Sequence, residues 1–180
     1  MNDAEHPFGP LVGRVDDAFD AALDHLRGNP LADRLFYALS EAANFSVLWH
    51  VVNLIRLVLR PSLRRDVTRL AVALGVESVL VNQGLKRLFR RQRPAFAGDR
   101  PHDLRTPSTS SFPSGHASSA FLAANLLAAT HRRGKVGWYA LAGLVALSRP
   151  YVRIHHASDV AGGAVVGVVL SRIARRLWRV

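Results

Sequence analysis

The sequence predicts an all-α membrane bundle of about five to six helices, with the functional site at one end. Apolar residues recur at helical spacing along the chain, and no segment shows the alternation that is typical of a β-strand. Lysine and arginine cluster where apolar segments end, as in membrane helices, at 60–65, 132–135 and 172–179. No stretch offers 18 consecutive strongly apolar residues, so the membrane prediction depends on those charged ends.

The first 30 residues are predicted to form an amphipathic segment that precedes a helical domain over 31–180. Within 11–27, apolar residues at positions 11, 15, 19, 22, 23 and 26 share one helical stripe, and acids occupy the opposite face. We expect this helix to lie at the membrane interface or against the body of the protein, without spanning the membrane. No basic region followed by an apolar run begins the chain, so no signal peptide is predicted.

Five further helices are predicted over 31–59, 66–85, 114–130, 136–149 and 158–178. Pro61 ends the first of them, and the Gly163-x-x-x-Gly167 pattern in the last favours close packing against a neighbour. Four or five helices are expected to span the membrane. The polar stretch 86–113 is longer than most loops, which is typical of a functional segment.

Three short segments, 86–94, 113–116 and 148–159, hold the residues on which a functional prediction depends. Because successive helices of a bundle run in alternating directions, all three segments are expected at the same end. Together they contain three cations, a Ser-Gly turn, two histidines and a carboxylate, namely Lys86, Arg93, Arg149, Ser114, Gly115, His116, His155 and Asp159. Such a set of groups suits a site that holds a phosphate and attacks it.

The charge of the chain agrees with an anionic partner. The net charge is +11, and residues 41–180 hold 21 lysines and arginines against six acids. A basic body suits nucleic acid, an anionic membrane surface or a phosphorylated substrate. The arginines interrupt apolar segments and do not gather on one exposed helix face, so we predict no nucleic-acid partner. The chain has no cysteine, which excludes disulfides and thiolate metal sites.

The three cations have the chemistry that a phosphate requires. The planar guanidinium groups of Arg93 and Arg149 can each grip two phosphoryl oxygens, and Lys86 adds a point charge. Lys86 and Arg93 are two helical turns apart, so a helix end can aim both at one pocket. Each cation also has an ordinary alternative as a solvated or headgroup-facing residue.

The segment 113–116 is predicted to begin a helix, with Ser114 as its cap. A second interpretation adds that the amides of Ser114, Gly115 and His116 point at an anion. The helix dipole would favour that contact, and glycine would permit a close approach of the backbone. Both interpretations stay open at this stage.

His155 and Asp159 are four residues apart at the start of the last predicted helix. A carboxylate in that position can accept the Nδ1 proton of the imidazole and leave Nε2 as a nucleophile. Asp159 equally suits an ordinary capping role at the helix start. The spacing alone does not choose between these two roles.

Carboxylates are too sparse to predict a metal site. Beyond residue 40 the acids are Glu41, Asp66, Glu77, Asp99, Asp103 and Asp159. No pair or triplet of them has metal-ligand spacing, and no metalloenzyme motif occurs. We therefore predict no metal and no cofactor, and we expect arginine and lysine to neutralise the phosphate charge.

At these residues the chain resembles the type 2 phosphatidic acid phosphatase (PAP2) superfamily. The pattern of that family is K-x6-R-P, then P-S-G-H, then S-R-x5-H-x3-D, and 86–94, 113–116 and 148–159 match it position for position. The resemblance covers about residues 31–178. One departure is His156, where the family frequently has an aromatic residue; we expect His156 to be a bystander.

The resemblance implies a helical-bundle phosphatase that needs no metal. By this analogy His155 attacks phosphorus and forms a phosphohistidine, and Asp159 orients it. His116 protonates the leaving group and then activates water. The phosphoryl oxygens would be held by the remaining residues of the three segments: Lys86, Arg93, Ser114, Gly115 and Arg149.

The expected substrate is a lipid phosphate or diphosphate, of the polyprenyl or the phosphatidate type, because the helices place the pocket at the membrane face. Two alternatives stay open: a vanadium-dependent haloperoxidase, which resembles the same motifs, and a non-catalytic lipid-binding protein. Loop charges favour a multi-pass protein of the cell membrane with its site on the extracytoplasmic side. The sequence leaves open whether the chain forms a homo-oligomer.

Overall fold

The computed structural model describes residues 8–178 except 97, 99 and 131, and all the regular structure in these residues is helical. Seven helices follow in order: α1 Pro10–Asp24, α2 Pro30–Ala42, α3 Val47–Leu59, α4 beginning with Arg64–Val79, α5 Gly115–Thr130, α6 Lys135–Tyr151 and α7 Ala157–Trp178. Helix α4 continues through a π-helical stretch, Leu80–Leu85, and ends in the turn Lys86–Leu88. The predicted all-α bundle is confirmed.

The prediction of one helix over 31–59 is wrong at its middle. Phe45 and Ser46 have positive φ angles of 52° and 61°, and the axes of α2 and α3 are bent by 66°. Neither residue is a glycine or proline, so the sequence carries none of the usual signals for this break. The break adds one helix to the predicted number and places Ser40, near the end of α2, beside the site described below.

Helix α1 has its polar and apolar faces in an unusual orientation. Asp16 is buried, at 3% exposure, whereas Leu11 and Val15 on the apolar stripe are 66% and 56% exposed. A surface helix of a soluble protein normally turns its apolar stripe toward the core. The acidic face of α1 therefore packs against the protein at Asp16, while Leu11 and Val15 of the apolar stripe face outward and Leu23 of the same stripe is buried.

Helix α5 lies at the centre of the bundle and packs against α4, α6 and α7. The main core is formed by large apolar side chains from α3 to α6, including Trp49, Leu70, Leu74, Leu122, Leu127 and Val145. Helix α7 approaches α5 very closely, because a Cβ atom at Gly163 would fall on the carbonyl oxygen of Ser114, and one at Gly167 on that of Ser118. The close packing predicted from the small-residue pattern is thus confirmed.

The C-terminal ends of α3, α5 and α7 meet at one end of the bundle. Arg56 donates to the hydroxyl of Thr130 at 3.2 Å, and Arg69 of α4 donates to the carbonyl of Trp178 at 3.2 Å. The three motif segments lie at the opposite end, as helix direction predicts.

Among the described residues, α7 is long and apolar enough to cross a membrane by itself. The bent pair of α2 and α3 gives a second candidate if it is counted as one span. By length and apolar composition, the described residues therefore contain one or two candidate spans, fewer than the four or five that were expected. The outer surfaces of α3, α4 and α7 nevertheless carry exposed large apolar side chains, among them Leu54, Ile55, Val58, Val72, Val76, Val165 and Ile173.

Candidate active site

The end of α4, the long loop after it, the start of α5 and the α6–α7 connection surround one cavity. Its volume is about 610 Å³, and five residues of the predicted site line it: Lys86, Gly115, His116, Arg149 and His155. Arg93, Ser114 and Asp159 lie directly behind this lining and contact it or each other. The fold thus brings the three segments together, although they are far apart in the sequence.

His155 lies in the connection between α6 and α7 and is almost fully buried. Its Nδ1 is 3.5 Å from Oδ2 of Asp159 and 3.4 Å from the hydroxyl of Ser111. Its Nε2 is 3.1 Å from Nη1 of Arg93, which can only donate. These contacts favour the tautomer with the proton on Nδ1, so that Nε2 has an unprotonated electron pair, which accepts from Arg93 in this structure.

Asp159 is held in position by three different donors. Oδ2 accepts from the hydroxyl of Ser111 at 2.5 Å and from the amide of His156 at 2.8 Å, and Oδ1 accepts from Arg91 at 2.8 Å. Asp159 is the third residue of α7, and His156 is the residue that caps this helix. The bond from Asp159 to the amide of His156 is therefore a capping contact that stabilises the helix start. Asp159 therefore combines both of its predicted roles: it stabilises the start of α7 and faces His155.

Burial lowers the pKa of His155 to about 3, and the positive charges of Arg93 and Arg149 act in the same direction. Hydrogen bonding to Asp159 opposes this shift without cancelling it. The imidazole is therefore neutral at physiological pH. A neutral imidazole is the form that can act as a nucleophile.

This pKa predicts acid sensitivity of the fold. Between the ordinary pKa of 6.5 and about 3, the unfolded chain binds a proton at His155 and the folded chain does not. The contribution of His155 to stability is therefore complete above pH 6.5 and is lost as the pH falls toward 3. We expect the melting temperature in detergent to fall more steeply between pH 7 and 4.5 for the wild type than for His155→Asn. Parallel curves for the two proteins would contradict this assignment.

Arg149, in the last turn of α6, is fully buried. Its Nη1 donates to the carbonyl and the hydroxyl of Ser40, while its Nε and Nη2 have no hydrogen-bond partner. A buried guanidinium with two unsatisfied donors is costly unless an anion occupies the space beside it. Because Arg149 lines the cavity, this geometry fits a bound phosphoryl group.

Lys86 and Arg93 complete the positive lining. Lys86, at the last turn of α4, is buried and its Nζ is 3.5 Å from the hydroxyl of Thr109. Arg93 donates to the carbonyls of Ile154 at 2.7 Å and Thr109 at 3.1 Å, and burial lowers its pKa. The helix ends at Leu88, before Arg93, so a loop rather than a helix aims Arg93 at the pocket.

The Ser114 part of the predicted anion-binding turn needs correction. The amide of Ser114 donates to the carbonyl of Asp159 at 3.0 Å, so it is not free for an anion. The hydroxyl of Ser114 accepts from the amide of Ala117 at 3.5 Å, a long capping contact. Ser114 thus joins the start of α5 to α7, and Gly115 and His116 are the residues of this turn that line the cavity.

His116 lies one residue into α5 and lines the cavity opposite His155. Its Nε2 is 3.2 Å from the carbonyl oxygen of Ser40, which can only accept. Nε2 therefore carries a proton in this contact. Nδ1 remains as the ring nitrogen that is available for exchange with a leaving group or water.

Several residues around the site escaped the sequence analysis. Ser40 orients Arg149 and His116, Ser111 bonds to Asp159, and Arg91 pairs with the same carboxylate. Ser40 and Ser111 lie outside the three segments, and Arg91 occupies an unspecified position of the first one. Serine and arginine are common in this chain, so the sequence offers no signal that separates these residues from their neighbours. His156 was expected to be a bystander; its ring does not line the main cavity.

The described residues contain no group of three or more His, Asp or Glu side chains that is arranged to hold a metal ion. The cavity wall carries the positive charges of Lys86, Arg87, Arg105 and Arg149, and Arg93 lies behind it in contact with His155. Arginine and lysine donors that are fixed before the substrate arrives can stabilise the charge that develops on phosphoryl oxygens.

Residues 66–179 match the PAP2 superfamily. Two similar curated proteins are decaprenylphosphoryl-5-phosphoribose phosphatases. The protein of Mycobacterium tuberculosis (strain ATCC 25618 / H37Rv) is 34% identical over 139 residues, which cover 75% of this chain and 74% of that protein. The protein of Mycolicibacterium smegmatis is 34% identical over 129 residues, which cover 70% and 68% of the two chains.

Two solved structures share the fold. The transmembrane PAP2 type phosphatidylglycerolphosphate phosphatase from Bacillus subtilis superposes with a TM-score of 0.72 at 24% identity, over 95% of this chain and 88% of that one. Aquifex aeolicus LpxE superposes with a TM-score of 0.70 at 27% identity, over 93% and 96%. The family match spans more than half of the sequence and includes every motif residue of the site. This chain therefore belongs to the PAP2 superfamily and is a membrane phosphatase of that family.

Proposed function

We propose that this phosphatase hydrolyses the terminal phosphate monoester of a polyprenyl-linked sugar phosphate, through a phosphohistidine formed on His155. The observation that carries the proposal is the neutral His155 beside the two unsatisfied donors of Arg149, at the wall of one cavity. The curated relatives and the structural neighbours reported above are all phosphatases, which favours this reaction over haloperoxidase chemistry or simple lipid binding.

In the first step, Nε2 of His155 attacks phosphorus, and the bond from phosphorus to the leaving oxygen breaks. His116 enters this step with protons on both ring nitrogens and transfers the Nδ1 proton to that oxygen, so the alcohol leaves neutral. Asp159 accepts the Nδ1 proton of His155 in a hydrogen bond and stabilises the positive charge that forms on the ring. Lys86, Arg93 and Arg149 hold the three phosphoryl oxygens.

In the second step, His116 takes a proton from water, and the water oxygen attacks phosphorus. The bond between phosphorus and Nε2 breaks, inorganic phosphate forms, and His155 returns to its neutral state. His116 is thereby reprotonated for the next cycle. Every proton and electron pair is accounted for by these two histidines, the substrate and water.

The lining of the cavity supports a sugar as the leaving group. Beside the cations, the wall carries Asn44, Glu77, Asn82 and Gln83, whose amides and carboxylate can bond to hydroxyl groups. Glu77 is 2% exposed and its Oε1 has no hydrogen-bond partner. A buried carboxyl oxygen without a donor suits a sugar hydroxyl.

Phosphate release by the detergent-purified protein in excess EDTA tests the reaction. The panel contains a polyprenylphosphoryl sugar phosphate, polyprenyl phosphate, polyprenyl diphosphate, phosphatidate and phosphatidylglycerol phosphate. We expect EDTA-resistant release that is fastest with the sugar phosphate. Absence of release from all five lipids, or complete loss of activity on adding EDTA, would contradict the proposal.

Glu77→Gln tests the sugar subsite. The exchange keeps the shape of the side chain but replaces one carboxyl oxygen by an amide NH2 group, which cannot accept a hydrogen bond from a sugar hydroxyl. We expect kcat/KM to fall about tenfold for the sugar phosphate and to change less than threefold for phosphatidate, whose diacylglycerol has no second hydroxyl. Asp66→Asn, at the far end of the same helix, is the matched control. Equal losses on both substrates would remove Glu77 from the subsite.

We further propose that the protein is a multi-pass protein with its site on the extracytoplasmic side. Exposed apolar side chains on α3, α4 and α7 suit contact with lipid, and Arg60, Arg64 and Arg65 lie at the end opposite the site. The outward apolar stripe of α1 would rest in the lipid headgroup region.

The absence of native cysteine makes this orientation easy to measure. Ser108→Cys introduces a thiol in the exposed loop at the site end, and Ser62→Cys introduces one in the exposed connection at the other end. We expect a membrane-impermeant maleimide to label intact cells at position 108 and to label position 62 only after lysis. The reverse pattern would place the site in the cytoplasm.

A further inference from the structure

Asp16 is a buried carboxylate in α1, outside all three motif segments. Its side chain is 1% exposed, and both of its oxygens are fully engaged. Oδ1 accepts from the amide of Ser158 at 2.8 Å, and Oδ2 accepts from the hydroxyl of Ser158 at 2.7 Å and from Nη2 of Arg91 at 2.6 Å. These bonds join α1 to the residue that directly precedes Asp159.

Arg91 connects Asp16 to the catalytic centre. Its side chain is fully buried, and Nη1 donates to Oδ1 of Asp159 at 2.8 Å and to the hydroxyl of Ser158 at 2.6 Å. The ring of Phe8 covers the guanidinium at 5.2 Å and packs edge-on against Phe112. One guanidinium therefore bridges two buried carboxylates and is covered by the ring of Phe8.

The charges of this cluster bear directly on the chemistry at His155. Asp16, Arg91 and Asp159 together carry one net negative charge, next to an imidazole that becomes positive as it attacks phosphorus. Without Asp16, the positive charge of Arg91 would act on Asp159 alone and cancel its negative charge. Asp159 would then orient His155 less firmly and stabilise its positive charge less.

We infer that Asp16 is a positioning residue of the active site, which balances and aims Arg91 so that Asp159 stays charged and directed at His155. The inference rests on the proposed role of His155 as the nucleophile. It gives α1 a function in catalysis beyond membrane contact, because this helix supplies one carboxylate of a four-residue chain that ends at Nδ1 of the reacting imidazole.

Asp16→Asn is the test variant and Asp17→Asn the control, because Asp17 is the adjacent carboxylate and is exposed. We expect Asp16→Asn to lower kcat about tenfold and to leave KM within twofold of the wild type, since the substrate does not touch Asp16. Asp17→Asn should match the wild type. A change in KM alone, or wild-type kcat for a folded Asp16→Asn protein, would overturn the inference.

A double-mutant cycle with Arg91→Gln separates positioning from mere structural support. Arg91→Gln alone leaves two buried carboxylates without their shared cation, and adding Asp16→Asn removes one of them. We therefore expect the double variant to be more active than Arg91→Gln and to melt at a higher temperature. This comparison keeps the test valid even if Asp16→Asn folds poorly by itself. Simple addition of the two losses would count against the inference.

His155→Ala is measured in parallel in the same assay. If His155→Ala keeps its activity, the proposed function fails. If His155→Ala is inactive while Asp16→Asn keeps the wild-type kcat, only the role of Asp16 fails.

Discussion

Replacing His155 with alanine is expected to lower kcat by about 10⁴-fold or more, because it removes the atom that forms the bond to phosphorus. The other groups of the cavity remain, so substrate binding should change little. The adjacent His156→Ala is the matched control: its ring lies outside the main cavity, and only its backbone amide contacts Asp159. We expect this control to keep kcat within about threefold of the wild type. Steady-state phosphate release measures both.

A second measurement identifies the covalent intermediate. Protein that is mixed with radiolabelled substrate and denatured in alkali should carry a label that is stable to base and released by acid, as expected for phosphorus bonded to imidazole. His155→Ala should bind the lipid and carry no label. Full activity of His155→Ala, or loss of activity in His156→Ala instead, would move the nucleophile to another residue.

The composition of the site could be predicted because its residues are fixed by chemistry and by spacing. Lys86, Arg149, His116 and His155 meet at one cavity, as the alternating direction of the helices predicts. Gly163 packs against the backbone of Ser114, as its small-residue pattern predicts. These features depend on local sequence and on helix parity, which a single sequence displays.

Other features depend on contacts between distant residues that have no pattern of their own. The bend at Phe45 and Ser46 lacks glycine and proline, yet it brings Ser40 to Arg149 and His116. The apolar stripe of α1 predicted a helix correctly, but its periodicity cannot tell which face meets protein and which meets lipid. In the structure Asp16 of the acidic face is buried, because Arg91 provides a partner for it, whereas Leu11 and Val15 of the apolar stripe are exposed.

Ser114 shows how one motif residue can take an unexpected role. The sequence offered its amide as an anion donor, and the structure uses that amide to bind the carbonyl of Asp159. The contact is possible because Gly163 lets α7 approach the start of α5. Ser114 therefore couples the turn to the helix that carries Asp159, and the phosphate-facing donors come mainly from cationic side chains.

The second large effect is expected for Arg149→Lys. The exchange keeps a positive charge, but an ammonium group cannot bond to Ser40 and also direct two donors at the phosphoryl oxygens. Loss of a donor that is fixed before the substrate binds typically costs about 10² to 10³-fold in kcat. We expect a loss of that size for Arg149→Lys, and Arg90→Lys, an exposed arginine outside the cavity, should stay within about twofold of the wild type.

The two kinetic constants of Arg149→Lys distinguish two roles for the guanidinium. If its free donors strengthen their bonds as charge builds up on the phosphoryl oxygens, kcat falls and KM changes little. If they only capture the ground-state phosphate, KM rises and kcat is unchanged. We expect the first result, because Arg149 is fully buried and held by Ser40 before any substrate arrives. A donor that is already in place loses little entropy on binding, so its interaction energy is available to the transition state.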